Sequence, residues 1–429
     1  MEAGILLFLI FLVLLFLGIP IAVALGGTAL FLIWKYQLGL PVYSANFYAG
    51  IAKFQLLAIP FFILAGFILE RCGISKRLVN LASLIVGSIP GGLAIVAIAV
   101  CVFFGGISGS GPADAAAMGA VLIPAMIAKG YEKGFSSALI ASSGSTAIVV
   151  PPSIALILYG VITNVSIPAL FAAGIFPGLL AGFSLVLPAY FISKKKGFLG
   201  EERGTFKEIM KAFKESIWGL LAPIIILGGI YGGIFTPTEA AVVAVFYGLF
   251  VGMIIYRTLK LKDLYPILCD AALSSAIVMI IVSFAGLYSW AGSTLGVMDK
   301  TASFLLSLSS NPYISILIIN ILILIAGMLL DAISIYYIFL PILLPIIAHF
   351  QWDPLWFGVV MTLNLAIGQF TPPVAINLFV TTNIAKTSLE DTSLAVIPFI
   401  ITMFLALLIV IYMPSLSLVL PIWWNLYTL

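Results

Sequence analysis

Charged side chains are scarce in this 429-residue sequence. Asp, Glu, Lys and Arg make up only 8% of it, whereas 63% of the residues are hydrophobic and the mean hydropathy is +1.26. An average soluble domain carries about 25% charged residues, so the composition excludes a soluble globular protein. Long apolar runs joined by short polar ones are typical of helical membrane proteins, whose helices satisfy their own backbone hydrogen bonds. The sequence therefore predicts an all-α, polytopic membrane protein.

Histidine and cysteine are also scarce. The chain has one histidine, His349, and three cysteines, Cys72, Cys101 and Cys269, without motif spacing. We therefore expect no disulfide framework and no histidine or cysteine metal site. A membrane-embedded enzyme is disfavoured because polar side chains do not cluster around the single histidine. A Walker A pattern is absent, so ATP does not drive the chain directly, and a net charge of +3 spread over loops excludes a nucleic-acid partner.

One polar stretch interrupts the apolar pattern in the first half. Residues 105–114 read GGISGSGPAD and lie between apolar runs at 91–104 and 115–128. Irregular backbone exposed to lipid costs several kcal/mol for each unpaired group, so this stretch must be buried in protein or line a polar cavity. We interpret 91–128 as a re-entrant helical hairpin with a polar tip. The alternative is a Gly/Pro kink in an ordinary bundle, with Asp114 as a helix cap.

The remaining segments divide the chain into five regions. The run 4–33 is either one tilted helix or two short ones, and it is retained because no basic n-region precedes it. Segments 78–89 and 300–309 are too short to cross and read as interfacial arms. The predicted regions are 1–90 (scaffold spans and first arm), 91–165 (first hairpin and broken helix), 166–310 (scaffold spans, cytoplasmic loop and second arm), 311–388 (second hairpin and broken helix) and 389–429 (C-terminal span).

The order of arm, hairpin, broken helix and span occurs twice. Asp114 and Asp331, near the two hairpin tips, are 217 positions apart, and Pro151-Pro152 and Pro372-Pro373 interrupt apolar segments 221 positions apart. Loop 194–215 carries seven basic residues, which places it in the cytoplasm. Three predicted spans separate that loop from the second hairpin. The feet of the second hairpin therefore face the outside, and the two halves have opposite orientations in the membrane. Inverted repeats with paired breaks indicate a secondary transporter whose binding site lies near the midplane.

The polar groups at the breaks suit a sodium ion and an organic anion. Freed carbonyls and hydroxyls bind Na⁺, and the N-termini of half-helices attract anions. The predicted ion ligands are Ser108, Ser110, Gly144, Ser145 and Thr146 in one site and Gly327, Gly368 and Thr371 in the other. The residues predicted to flank the substrate are Pro151, Pro152, Ser153, Pro372, Pro373 and Asn377. The glycines could instead serve only close helix packing.

Asp114 and Asp331 leave two interpretations open. Each could bind an ion, or each could cap and brace a hairpin tip. Their position just past the break, rather than in it, favours structural bracing.

Four stretches of the sequence resemble a known family. They are GGISGSGPADAAAMGAVLIPAM (105–126), GSTAIVVPPSIALILYG (144–160), GGIYGGIFTPTEAAVVAVFYG (228–248) and GQFTPPVAINLFV (368–380). They are similar to the large membrane subunit of tripartite ATP-independent periplasmic (TRAP) transporters, and the resemblance covers essentially the whole chain. It implies an elevator-type fold in the bacterial inner membrane, in which the hairpins and broken helices move against a scaffold.

The resemblance also implies a function. The expected activity is Na⁺-coupled import of an organic acid such as sialic acid or a C4-dicarboxylate. The expected partners are a periplasmic substrate-binding protein and a small four-helix membrane subunit on a separate chain. Carried over residue by residue, it adds Pro151 to the first Na⁺ site and Pro372 to the second. The alternative is a stand-alone ion-coupled carrier of the same wider group that works without a binding protein.

Overall fold

The structure is a computed structural model that describes residues 2–39, 41–198, 200 and 204–428. All regular secondary structure in these residues is helical. Eight of the helices are long and apolar enough to cross a membrane. The predicted all-α polytopic fold is therefore confirmed.

The N-terminal region holds five helices. They are α1 (Glu2–Phe16), α2 (Ile21–Lys35), α3 (Pro41–Ile51), α4 (Ala58–Arg71) and α5 (Ile74–Val86). The first apolar run forms two helices rather than one, because Gly18 adopts φ +79° and Pro20 precedes α2. The first arm, α5, begins four residues earlier than predicted, after Gly73 at φ +71°. Helix α3 was not predicted.

The first hairpin and broken helix follow. They comprise α6 (Gly92–Ser108), α7 (Gly111–Ala128), α8 (Lys133–Ser145) and α9 (Ile154–Thr163). Gly109 ends α6 in the left-handed region at φ +64°, which a glycine adopts without steric cost. Between α8 and α9 the chain makes a 3₁₀ turn, Thr146–Ile148, and then passes through two prolines that cannot donate helical hydrogen bonds. The predicted helical hairpin and discontinuous helix are both present, and the re-entrant position of the hairpin in the membrane stays a prediction.

The middle region holds the longest helices. They are α10 (Ile167–Lys196), α11 (Phe206–Tyr231), α12 (Pro237–Phe250, continued by the π-helical turn Val251–Ile255), α13 (Leu261–Thr294) and α14 (Val297–Leu308). The prediction that 194–215 is a loop is wrong for both ends, which belong to α10 and α11. Lysine is a good helix former, and Thr205 and Glu208 form a capping box that starts α11 early. Arg203, one of the basic residues counted there, lies outside the described residues.

Six helices complete the chain. They are α15 (Pro312–Gly327), α16 (Ala332–His349), α17 (Pro354–Gly368), α18 (Ile376–Ala385), α19 (Leu389–Tyr412) and α20 (Ser415–Trp423). The series α14–α19 repeats the series α5–α10. Helices α7 and α16 have 18 residues each, and α9 and α18 have 10 each. Both Pro-Pro peptide bonds are cis.

The two broken helices run in opposite directions. Lys133, at the start of α8, donates to the carbonyl of Lys386, just after α18, at 3.4 Å. At the other end, the Tyr159 hydroxyl of α9 donates to the carbonyl of Pro354, the first residue of α17, at 2.6 Å. The start of one broken helix therefore meets the end of the other at both ends, which is the arrangement of an inverted repeat.

The foot of the first hairpin lies beside the basic end of α10. Glu132 forms an ion pair with Lys196. The Gly91 amide donates to the Phe198 carbonyl at 3.2 Å, and the rings of Tyr131 and Phe198 are 4.3 Å apart. These contacts put the hairpin foot at the same end of the molecule as the basic stretch, which the positive-inside rule predicts to be cytoplasmic.

The opposed broken helices generate a labelling prediction. Cysteines introduced as Lys133→Cys and Lys386→Cys will react with a membrane-impermeant maleimide from one side of the membrane. Asn164→Cys and Gln351→Cys will react from the other side, because they follow α9 and precede α17. All four positions are exposed. Labelling of intact cells and of inverted vesicles measures the sidedness.

The background for this experiment is Cys269→Ser, since Cys269 is the exposed native cysteine. That background should take up little label in either preparation. Labelling of positions 164 and 386 from the same side would contradict the inverted arrangement.

Candidate functional site

The tip of the first hairpin packs directly against the break between α8 and α9. The Ile154 amide donates to the Gly109 carbonyl at 3.3 Å. A Cβ on Gly109 would lie 2.8 Å from the Pro152 carbonyl oxygen, and one on Gly106 would lie 3.1 Å from that of Pro151. Glycine is needed here because the two backbones touch. The hairpin tip and the first break therefore form one polar unit.

The second hairpin meets its own break in the same way. A Cβ on Gly368 would lie 2.7 Å from Gly327 Cα, so these predicted glycines pack face to face. The Ala375 amide, just before α18, donates to the Met328 carbonyl at 3.2 Å. Pro372 lies in the same break, between α17 and α18. The structure thus brings the predicted Gly327 together with Gly368.

Gly144 links the first break to the second helix of its hairpin. A Cβ at this position would lie 3.0 Å from the Ala115 amide nitrogen in the first turn of α7. Ser110 is the N-cap residue of α7, and its amide donates to the Ser108 hydroxyl oxygen at 3.2 Å. The predicted residues of the first site therefore surround the start of α7.

Three of the hydroxyls predicted to bind ions share one hydrogen-bonding pattern. Ser145 donates to the Ser142 carbonyl at 2.7 Å, and Thr146 donates to the Ser143 carbonyl at 2.7 Å. In the second break Thr371 donates to the carbonyl of the residue four positions earlier at 2.6 Å. A hydroxyl that donates backwards into its own helix keeps its oxygen lone pairs for another partner. Such an oxygen is a suitable ligand for a hard cation.

The two aspartates differ in their hydrogen bonds. Asp331 is the N-cap residue of α16 and accepts from the amides of Ile333 and Ser334 at 3.0 and 3.3 Å and from the Ser334 hydroxyl at 2.5 Å. Asp114 is fully buried; one of its carboxylate oxygens accepts from the Ser108 hydroxyl, and the other has no partner. An unpartnered buried carboxylate oxygen is costly. The residues around the first tip therefore fit a bound cation.

A cavity of about 660 Å³ is lined by residues of both hairpin tips. From the first tip it is lined by Ser108 and Ser110, and from the second by Asp331. Further polar groups come from Gln369 in the second break, Glu70 in α4 and Ser274 in α13, while other residues of α4 and α13 supply apolar walls. A cavity of this size accommodates a small organic molecule.

Sequence analysis missed three of these polar residues, Gln369, Glu70 and Ser274. Gln369 lies inside the predicted second break, and a polar side chain at such a break could have been identified from the sequence as a candidate site residue. Glu70 precedes Arg71 in a polar stretch that reads as the end of a span, and nothing in the pattern shows that it turns towards a cavity.

Four of the six residues predicted to flank the substrate are not also assigned to an ion site: Pro152, Ser153, Pro373 and Asn377. None of them is among the described residues that line the cavity, although Ser153 and Asn377 each adjoin one that does. The Ser153 hydroxyl donates to the Ile148 carbonyl and accepts from the Leu156 amide, so it caps α9. Asn377 donates to the Ala141 carbonyl at 3.2 Å and so connects the two halves. Direct contact with substrate stays a prediction for all four.

Comparison with known proteins gives a family match along the chain. The family described as "Tripartite ATP-independent periplasmic transporter, DctM component" matches residues 8–416. The isethionate TRAP transporter permease protein DctMQ of Oleidesulfovibrio alaskensis is 43% identical over 401 residues. That alignment covers 93% of this chain but only 63% of the relative.

Two other relatives match over nearly their whole length. The C4-dicarboxylate TRAP transporter large permease protein DctM of Rhodobacter capsulatus is 36% identical, covering 94% of this chain and 95% of the relative. The sialic acid TRAP transporter large permease protein SiaM of Vibrio cholerae is 37% identical, covering 95% and 96%. These relatives are named as permeases, which confirms the prediction of a transport protein rather than an enzyme.

A solved structure shares the fold. The YdaH transporter of Alcanivorax borkumensis matches with a TM-score of 0.62 and 16% identity, covering 92% of this chain and 89% of that one. At this identity the likeness shows the fold alone.

The contact between Gly327 and Gly368 generates a stability prediction. Gly368→Ala will lower the free energy of unfolding by about 1–3 kcal/mol, because the added methyl group overpacks the contact between tip and break. The melting temperature of the purified protein in detergent measures the loss. Gly228→Ala in α11 is the matched control, since a Cβ there would have no neighbour within 4 Å among the described atoms. Equal melting temperatures for the two variants would contradict the prediction.

Proposed function

The chain belongs to the DctM family of tripartite ATP-independent periplasmic transporters, which are inner-membrane permeases, and on that premise we propose that it imports an organic acid by Na⁺-coupled secondary transport. The observation that carries the proposal is the family match over residues 8–416. The relatives are named for isethionate, C4-dicarboxylates and sialic acid, which are all small organic anions. The substrate of this chain belongs to the same chemical class.

Sodium coupling is supported by the chemistry of the two tips. Bound Na⁺ would supply positive charge where a buried Asp114 oxygen lacks a partner. In the first site it would be held by Ser108 and Ser110 with residues 144–151 of the break. In the second it would be held by Gly327 with residues 368–372. The cavity is lined by Ser108 and Ser110 of the first tip and by Gln369 of the second break, so ions held at the two breaks would attract an anion entering it.

The proposed movement is that of an elevator. Hydrogen bonds between the halves tie the broken helices into one block: Ser137 donates to Thr381 at 3.0 Å, and Asn377 donates to Ala141 at 3.2 Å. The cavity is lined on one side by residues of the hairpin tips and breaks and on the other by α4 and α13. In this proposal the block, with its re-entrant hairpins, carries substrate and ions past the remaining helices, which form the scaffold.

Two protein partners complete the proposed transporter. One is a periplasmic substrate-binding protein and the other is a small four-helix membrane subunit that enlarges the scaffold. The chain spans only 63% of the isethionate permease that it resembles, so the activity of that whole protein comes to this chain only as a proposal.

Uptake into proteoliposomes tests the proposed function. The chain is reconstituted with the small subunit, and labelled isethionate, succinate and sialic acid are offered outside with the binding protein. We expect uptake of one acid that requires both an inward Na⁺ gradient and the binding protein. Uptake that persists without the binding protein would support a stand-alone carrier, and uptake indifferent to Na⁺ would contradict the coupling.

The ion sites give a mutational prediction. Ser110→Ala and Thr371→Ala will each raise the Na⁺ concentration for half-maximal uptake by about tenfold or more, since losing even an outer partner of a metal ligand costs that much. Thr402→Ala is the matched control, because Thr402 donates to the Pro398 carbonyl in the same backward geometry, in α19 and outside the breaks. An unchanged Na⁺ dependence in both variants would show that Ser110 and Thr371 are not ion ligands.

A further inference from the structure

The cavity between the hairpin tips has an unexpected charge for a site that receives an anion. Its described lining includes the carboxylates of Glu70 and Asp331 but no lysine, arginine or histidine. We infer that the side-chain amide of Gln369 recognises the acidic group of the substrate, and that bound cations, rather than a basic side chain, neutralise it. This inference rests on the proposed function and identifies the recognising residue of that site.

The backbone holds Gln369 firmly in the second break. Its amide donates to the Leu365 carbonyl at 3.1 Å, and its carbonyl accepts from the Asn377 amide at 3.0 Å. The residue is therefore fixed on both sides of the break, and only 6% of it is exposed. A buried side chain on a fixed backbone has few conformations left to lose when it binds a ligand.

The side chain of Gln369 lies across the first hairpin tip. A Cβ on Gly111 would lie 2.0 Å from Gln369 Oε1, so the amide occupies the space that the glycine leaves. Asn377 Nδ2 donates weakly to the same oxygen, at 3.5 Å. With Oε1 turned to Asn377, the Nε2 group has no hydrogen-bond partner among the described residues. It is a donor available at the cavity wall.

Gln369 has no equivalent in the first half. The corresponding residue after Gly144 is Ser145, whose hydroxyl donates within its own helix. Three residues separate Gly368 from Pro372, whereas six separate Gly144 from Pro151. The amide is thus an addition to the repeated pattern of glycines and hydroxyls, and its role should differ from ion binding.

A neutral donor suits a coupled transporter. An arginine at this position would bind an anion through two charge-assisted hydrogen bonds whether or not ions were present. An amide cannot offset the repulsion of two nearby carboxylates, so the anion would bind well only after cations had entered. Recognition by Gln369 therefore makes substrate binding conditional on the ions, which prevents uptake without coupling.

The test measures uptake by the reconstituted transporter with its binding protein, at saturating Na⁺, for whichever of isethionate, succinate or sialic acid the wild type imports. Gln369→Leu should raise the half-saturating acid concentration roughly 10- to 100-fold, as expected for losing a hydrogen bond to a charged group. Gln369→Glu, which keeps the shape but adds a negative charge, should raise it further. The maximal rate should change by less than about threefold in either variant.

Gln351→Leu is the matched control, because Gln351 is exposed and lies outside the cavity lining. Gly111→Ala should behave like Gln369→Leu, since its methyl group would displace the amide, and the two changes together should be less than additive. Melting temperatures identify any variant that has lost its fold, and Gln369→Glu preserves the size of the side chain if the leucine variant fails.

Two outcomes would overturn the inference. If the half-saturating concentration is unchanged while the maximal rate falls, Gln369 holds the tip in place rather than recognising substrate. If Gln369→Glu imports the acid as well as the wild type does, the charge argument is wrong. A wild type whose uptake needs no Na⁺ gradient would instead refute the proposed function on which the inference rests.

Discussion

The structure depends on the cost of unpaired backbone groups away from water. A helix that stops inside the apolar part of a membrane protein exposes amides and carbonyls, each costing several kcal/mol unless something pairs with it. Here each hairpin tip packs against the break of a discontinuous helix, so the unpaired backbone groups of one pair with those of the other. The Gly109 carbonyl accepts from Ile154 across the first tip and break, and the Met328 carbonyl accepts from Ala375 across the second. The glycines follow from this pairing, because backbones can touch only where side chains are absent. Polar groups are thereby concentrated in two small regions, and the cavity lies between them.

Electrostatics then determines what these regions can hold. Asp331 has three hydrogen-bond donors, so its negative charge is well stabilised by the start of α16. Asp114 has one donor and a second oxygen that is buried without a partner. The two halves have the same order of helices, but they differ in how well hydrogen bonds stabilise the aspartate at the hairpin tip. In the proposed transporter the first site needs a cation more than the second does, and loading of the first site would stabilise the protein as well as the substrate.

Sequence reasoning identified the parts of this molecule that follow from local chemistry. The hairpins and both broken helices could be predicted because glycine and proline interrupt long apolar runs, and the repeat could be predicted because the interruptions recur 217 to 221 positions apart. Helix α3 was not predicted because it is short and because Ser44, Asn46 and two tyrosines interrupt any apolar run within it. The region 194–215 was misread because lysine is both a topology signal and a good helix former. Ser153 illustrates a role that its sequence position could not show: its hydroxyl caps α9, while its contact with substrate stays a prediction.

The location of Gln369 could not be derived from either half alone. Its partners are Asn377 in its own broken helix and Gly111 in the opposite hairpin, so its environment exists only when the two halves assemble. The same is true of the cavity, which takes polar groups from both tips and its apolar walls from α4 and α13. Two ions of the same kind need the same kinds of ligand. The two halves of an inverted repeat have similar structures, so each half can supply one equivalent set of ion-binding groups. A single substrate molecule at the junction has no such symmetry. Its recognition must therefore depend on residues that occur once, and among the described residues lining the cavity Gln369 is the one neutral side chain that presents an amide donor.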